Sequence, residues 1–353
     1  MSGVDPTSSM ACPLPLPAND TIRLAHGGGG RLMQQLLQDI FLPAFANPDA
    51  QPDCDAAVLA RPSGRLAFTS DAFVVRPLFF PGGDIGKLAV CGTVNDLAMV
   101  GARPLYLSVA FILEEGLTLS DLKRMVDSMR VSADSAGVRI VTGDTKVVDR
   151  GRGDGAYLHT SGVGVLEHDG SWRPGAVETG DVILLSGDIG RHGVAVLAER
   201  EGLAFESAIE SDCACLVDPV MAALAAGLTP RVMRDCTRGG LASALIELAQ
   251  AGAARFRIEG TAIPVSDPVR GACELMGLDP LYVANEGCMC WIVPPDQAAD
   301  ALALLRQHPV GRQAECIGEV ISTATTGRVL LRNELGVDRI LDLLSGEQLP
   351  RIC

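Results

Sequence analysis

Ile85-Gly86-Lys87-Leu88-Ala89-Val90-Cys91-Gly92-Thr93-Val94-Asn95-Asp96-Leu97-Ala98-Met99 reads as a helix. Ile85, Leu88, Ala89, Gly92, Asp96 and Met99 fall in one stripe at the 3.6-residue period, so the stripe should face a core and carry Asp96 into it. A carboxylate there costs several kcal/mol unless a cation or hydrogen-bond donors compensate it. Asn95 places a second polar group beside it. Magnesium suits such a site because it prefers carboxylate and water oxygens. The alternative is a structural carboxylate satisfied by backbone N–H groups or by Arg103.

Around this helix, apolar runs at residues 56–60, 66–69, 105–113, 138–141 and 156–166 predict strands. A further helix starts at a Thr118/Asp121 capping box, repeats Leu122, Met125, Val126, Met129 and Ala133 at helical spacing, and stops at Gly137. Residues 168–181 lack periodicity and read as a connection between halves. A second series follows: strands at 182–186, 289–293 and 329–331, helices at 194–200 and 241–250. The expected fold class is therefore α/β or α+β in two domains, residues 21–168 and 169–332. A lead-in at 1–20 precedes them and a mobile tail at 333–353 follows, where Gly346 and Pro350 break any helix.

The chain has 353 residues, 48% of them hydrophobic and 20% charged, with no apolar run long enough to cross a bilayer. Residues 1–20 have neither the basic nor the apolar region of a signal peptide. Eleven cysteines, an odd number scattered over a long chain, point to a reducing compartment, hence the cytoplasm. A net charge of -14 opposes a nucleic-acid partner. Cys213/Cys215 and Cys288/Cys290 are spaced too closely for familiar zinc knuckles and read as buried thiols.

His26-Gly27-Gly28-Gly29-Gly30 runs into a helical pattern, so free N–H groups could face an anion; a flexible hinge is the alternative. Acids stand where strands end: Asp53, Asp55, Asp71 and Asp144. Such ends converge on the ligand crevice of a sheet protein, although each acid alone would be an ordinary turn residue. Gly143-Asp144-Thr145-Lys146 pairs a carboxylate with an ammonium that could hold metal and phosphate, or leave Lys146 on the surface. Arg234-Asp235-Cys236-Thr237-Arg238-Gly239-Gly240 opens a helix and offers a second anion site, or a cap by Thr237. Cys353 is either a reactive thiol favoured by nearby Arg351 and opposed by the α-carboxylate, or an incidental one.

In order, the glycine loop, Thr69-Ser70-Asp71, Gly83-Asp84-Ile85-Gly86-Lys87, Val94-Asn95-Asp96, Gly143-Asp144-Thr145-Lys146, Arg234-Asp235 with Thr237-Arg238-Gly239, Asn285-Glu286-Gly287 and Pro350-Arg351-Ile352-Cys353 resemble the HypE family. The Asn-Asp helix and Gly-Asp-Thr site also look like the wider superfamily of aminoimidazole ribonucleotide synthetase, selenophosphate synthetase and thiamine-phosphate kinase. The terminal Pro-Arg-Ile-Cys is the specific feature.

The resemblance implies a two-domain aminoimidazole ribonucleotide synthetase-like (PurM-like) fold: an N-terminal domain dimerising through its strands, a C-terminal α/β domain, and an ATP cleft between them. It implies a homodimer that dehydrates a carbamoyl group on Cys353 to a thiocyanate, with ATP and Mg2+, for the iron of a NiFe hydrogenase. The partners would be the carbamoyltransferase HypF and the HypC–HypD scaffold.

Asp55, Asp71, Asp96 and Asp144 would hold the metal. Lys146, Lys87, Asn95 and the glycine and arginine motifs would hold the nucleotide, and Glu286 or an aspartate would be the base. The rivals are a small-molecule kinase or synthetase of the same superfamily, which would not need Cys353, and a non-catalytic thiol carrier, which would not need the glycine loop or Asp96. Selenophosphate synthesis would call for a reactive Cys by the glycine loop, and Cys12 lies beyond a proline-rich spacer.

Overall fold

The computed structural model describes residues 20–51, 54–203, 205, 208–324, 326–346, 349 and 351–353. The expected lead-in apart from Asp20, with its Cys12, and also Asp53 and Pro350, lie outside the described residues.

The first half begins with short helices α1 (Arg31–Leu36) and α2 (Leu42–Ala44). Strands β1 (Leu66–Phe73), β2 (Phe79–Phe80) and β3 (Gly83–Asp84) follow. Next come α3 (Ile85–Met99), β4 (Ala102–Glu114), α4 (Leu119–Ala136), β5 (Arg139–Val148) and β6 (Ala156–Leu166). The main sheet has the order β1-β6-β4-β5, so β1 and β5 are its opposite edges.

Local chemistry fixes both long helices. Asp84 caps α3 by accepting hydrogen bonds from Gly86 N at 2.8 Å and Lys87 N at 3.1 Å. Thr118 caps α4 through Asp121 N at 3.0 Å, and Gly137 ends it in the left-handed conformation, φ 66°. At Gly86 a Cβ would collide with the Met125 carbonyl, so glycine lets α3 and α4 pack closely.

The second half contains β7 (Val182–Leu185), α5 (Arg191–Glu201), α6 (Val217–Ala225), β8 (Val232–Asp235), α7 (Gly240–Ala251) and β9 (Arg255–Glu259). It continues with α8 (Asp267–Met276), β10 (Met289–Val293), α9 (Ala298–Arg306), β11 (Glu315–Ser322), β12 (Arg328–Arg332) and β13 (Asp338–Leu341). Its sheet runs β13-β12-β9-β11-β7-β10-β8. One apolar core crosses between the halves, joining Val90 and Val94 of α3 to Leu216 and Val220 around α6.

Three sequence expectations fail. The tail at 333–353 is not a free arm throughout, because Asp338–Leu341 pairs with β12 and Ile352 bridges Val75. Residues 56–60 form no strand and Val58 is 73% exposed, because Ala56, Ala57 and Ala60 have little side chain to bury. Asp96 is half-buried instead of sunk in a core. Helix α3 packs on the sheet, on α4, and on α6 and β8, so nearly its whole circumference is covered and no single stripe marks the core. Arg103, offered as a structural partner for Asp96, instead binds Glu167 at 2.6 Å.

Candidate active site

A cleft of about 520 Å3 opens between the halves, lined by Asp71 of β1, Asp96 of α3, Asp235 of β8, Arg234, Thr237 and Arg238, with Glu286 and Cys353. Thr69 Oγ1 donates to Asp96 Oδ2 at 2.7 Å. Burial, and then the charge of Asp96, push Asp71 up to about 6. Burial, followed by the same neighbour, pushes Asp235 up to about 7 against the pull of Arg234.

Glu286 is 3% exposed and its Oε1 has no hydrogen-bond partner. Burial, reinforced by Cys213, Asp212 and Asp235, holds its carboxyl well above the usual range and so favours the neutral form. Asp212 holds the loop, accepting from Glu286 N at 3.1 Å and Gly287 N at 3.0 Å. A Cβ on Gly287 would overlap the Asp212 carbonyl.

Cys353 enters this acidic cleft on a braced arm. Ile352 bridges Val75, and its carbonyl lies 2.6 Å from His192 Nε2, whose Nδ1 is 2.9 Å from Ser211 Oγ. The Arg351 carbonyl accepts from Arg76 N at 3.2 Å and from Arg200 Nη2 at 2.5 Å. The Arg351 guanidinium binds Asp154 at 2.9 Å, so it does not serve the thiol as the sequence suggested. Arg238 is the cation that favours the Cys353 thiolate, yet burial and Glu286 outweigh it and push the thiol up.

The remaining expected site residues lie elsewhere. Asp144 and Lys146 pair with each other at 2.8 Å on β5, with side chains 61% and 65% exposed. Thr145 points to the core, and a Cβ on Gly143 would strike the Val109 carbonyl. The glycine loop joins this edge: a Cβ on Gly27 would come within 2.8 Å of Val147 N, while Gly28, Gly29 and Gly30 are exposed. His26 is buried, with Nδ1 accepting from Arg23 N at 2.9 Å.

Asp55 is on an exposed loop. Lys87 donates to Gly82 O at 3.0 Å on another side of α3. Asn95 binds Ala214 O at 3.0 Å and Leu216 N at 2.7 Å, and so ties the halves together. Gly239, φ 76°, caps α7, leaving Thr237 free of that duty.

Sequence reasoning missed His192, Ser211, Asp212, Arg200 and Asp154. Their partners are distant in sequence, and no local motif marks them.

Carboxylates whose pKa values are raised by burial and by one another are what a cation would relieve. Among the described residues no three His, Cys, Asp or Glu side chains converge as a metal cage. Magnesium fits the Asp71 and Asp96 pair nonetheless, because it keeps waters and takes phosphate oxygens alongside one or two carboxylates.

Residues 53–166 match the model for the N-terminal domain of AIR synthase related proteins, and residues 178–330 match that for the C-terminal domain. Fold and cleft thus define a two-domain AIR synthase related protein. The chain is 51% identical to carbamoyl dehydratase HypE of Rhodobacter capsulatus, over 95% of this chain and 99% of that one.

A crystal structure of hydrogenase maturation protein HypE in complex with ATP superposes with a TM-score of 0.90 at 47% identity, covering 94% of this chain and 99% of that one. The HypE in a HypE–HypF complex gives 0.77 at 44% identity, covering 88% and 99%. The chain belongs to the HypE family of hydrogenase-maturation proteins and is an enzyme, a carbamoyl dehydratase.

Proposed function

We propose that Cys353 carries the carbamoyl group and that the cleft dehydrates it in place to a thiocyanate, at the expense of ATP. The carrying observation is Cys353 seated among Asp71, Asp235, Glu286 and Arg238. A thiocarbamate, S–C(=O)–NH2, has a poor leaving group in its oxygen. Transfer of the γ-phosphoryl group of ATP to that oxygen makes it a good one, and loss of phosphate with both N–H protons leaves S–C≡N. Magnesium held by Asp71 and Asp96 would supply charge neutralisation at the phosphates.

Arg234 and Arg238 orient anionic oxygens at the cleft mouth. Asp235, at about 7, is matched to removing a proton from nitrogen near neutrality. Glu286, held neutral, can donate a hydrogen bond to the carbamoyl oxygen. The braced arm presents the group and excludes water from the activated intermediate.

Lys146 and Asp144 act in this reading from a second copy. They share the open face of the first sheet with Leu66 and Phe68, 60% and 70% exposed: Asp144 pairs Ala110, which pairs His159, which pairs Ala72. Apolar exposure on that face supports a homodimer, in which the partner copy would bring its Lys146 and glycine loop to this cleft. HypF would load Cys353, HypC–HypD would receive the cyanide, and the setting would be the cytoplasm.

The test is intact mass after incubation with HypF and carbamoyl phosphate, with and without Mg-ATP. A carbamoyl adduct that loses one water only with ATP, and never forms on Cys353→Ala, is the expected result. An adduct on Cys353→Ala, or one indifferent to ATP, overturns the proposal.

A further inference from the structure

The segment at residues 211–216 lies between the halves, and the structure brings a third thiol to its Cys213 and Cys215. Cys91 of α3, 124 positions before Cys215, has its Sγ 3.1 Å from Cys215 Sγ. All three thiols line a second cavity of about 280 Å3, with Lys87, Ser135 and Asp218 in its wall. Cys91 and Cys213 are buried, and Cys215 is half-exposed. The second Cys-x-Cys pair also gains a third member, Cys236, but Cys236, Cys288 and Cys290 are sealed in the core of the second half. Access separates the two trios.

We propose that Cys91 and Cys215 are a reversible dithiol/disulfide couple that ties the first half to the second. Cys215 is the attacking sulfur: it lies against Cys91 at the cavity wall, and the hydrogen bond from Cys91, helped by Lys87 against the effect of burial, lowers its pKa below the usual thiol value. The oxidant is a small organic disulfide, RSSR, entering through the cavity. Cys215 thiolate attacks one sulfur and releases RS⁻. Cys91 then loses its proton and displaces the second RS⁻ from the mixed disulfide. Two protein thiols and RSSR become one protein disulfide and two RSH.

The bond would flank the Asn95 clamp on Ala214 and Leu216, in the segment whose Asp212 holds the Glu286 loop and whose Ser211 meets His192. It fixes the separation of the halves and brakes opening of the cleft. Neither step depends on the chemistry assigned to Cys353.

The test treats the full-length protein with cystamine, alkylates remaining thiols, and maps peptides. The expected product is a Cys91–Cys215 cross-linked pair lighter by two hydrogens and reversed by dithiothreitol. Closing so long a loop should also raise the apparent Tm by several degrees. Cys91→Ser should lose both effects while keeping a cysteamine adduct on Cys215. A stable cysteamine adduct on wild-type Cys215, a cross-link through Cys213 instead, or an equal Tm rise in Cys91→Ser would overturn the proposal. The wild-type peptide map decides the matter even if the variant folds poorly.

Discussion

The two edges of the first sheet carry similar residues under opposite conditions. At the β1 edge Asp71 is drawn into a cleft with Asp96 and Asp235, and burial, reinforced by the charge of Asp96, lifts Asp71 to about 6 and Asp235 to about 7. At the β5 edge Asp144 lies in water beside Lys146, which holds it below the usual carboxylate value. The first edge stores electrostatic strain that a cation would relieve. The second is a satisfied pair that costs nothing to leave exposed and contributes little to stability. In the proposed homodimer the first edge is a site that the second edge of the other copy would complete.

The sharpest way to break that comparison is complementation. Lys146→Ala should lower dehydration about a hundredfold or more, as loss of a group on developing charge does, and Cys353→Ala should abolish it. Co-expression of the two should restore activity to about a quarter of the wild-type sites, since half the dimers are mixed and each has one intact cleft. A dead mixture would put Lys146 to work within its own chain.

A second, smaller effect concerns stability. The folded chain raises Asp71 and Asp235, so folding binds protons that the unfolded chain has released. Stability from these groups is highest below about pH 4, where both states are protonated, and falls as pH rises through 6 and 7. Between pH 5 and pH 8 the loss is at most about 4 kcal/mol for the pair, at about 1.4 kcal/mol for each pH unit below the folded value. Urea midpoints at pH 5 and pH 8 should therefore differ less in Asp71→Asn/Asp235→Asn than in wild type, and equal differences would remove the strain.

The smallest effect tests the arm. His192→Phe keeps the apolar contact with Phe80, whose ring centroid is 5.4 Å away, but loses the bond to Ser211 and the bond to the Ile352 carbonyl, of which only the second holds the arm. One hydrogen bond is worth roughly 1 kcal/mol, so single-turnover dehydration should slow about five- to tenfold while loading of Cys353 is unchanged. Equal losses in both steps would mean general misfolding.

Much of the fold was legible because it is local. The caps of α4, the helix α3 and the strands β1, β4, β5 and β6 follow from residues a few positions apart. The carboxylates at the β1 end and the Arg234–Gly239 motif were legible as a site for the same reason. Other features depend on contacts that no local pattern encodes. His192 meets Ile352 across 160 positions. Which of Asp71 and Asp144 faces the cleft depends on strand order and on cross-strand register, which puts them on opposite faces of the sheet, and both are long-range. Lys87 belongs to α3 as expected, but the helix rotation turns it toward Cys215 instead of the cleft. Asp96 was misjudged because a helix covered on every side has no distinctive stripe.

The arm holding Cys353 has a consequence for kinetics in the cell. Since the reacting group and the cleft belong to one molecule, their mutual concentration is set by the anchoring of Arg351 and Ile352, and abundance does not alter it. Once two copies are paired and ATP is bound, dehydration is then a first-order event whose rate does not depend on how often charged chains meet. Only charging and unloading, which need collisions with other proteins, slow down when copies are scarce.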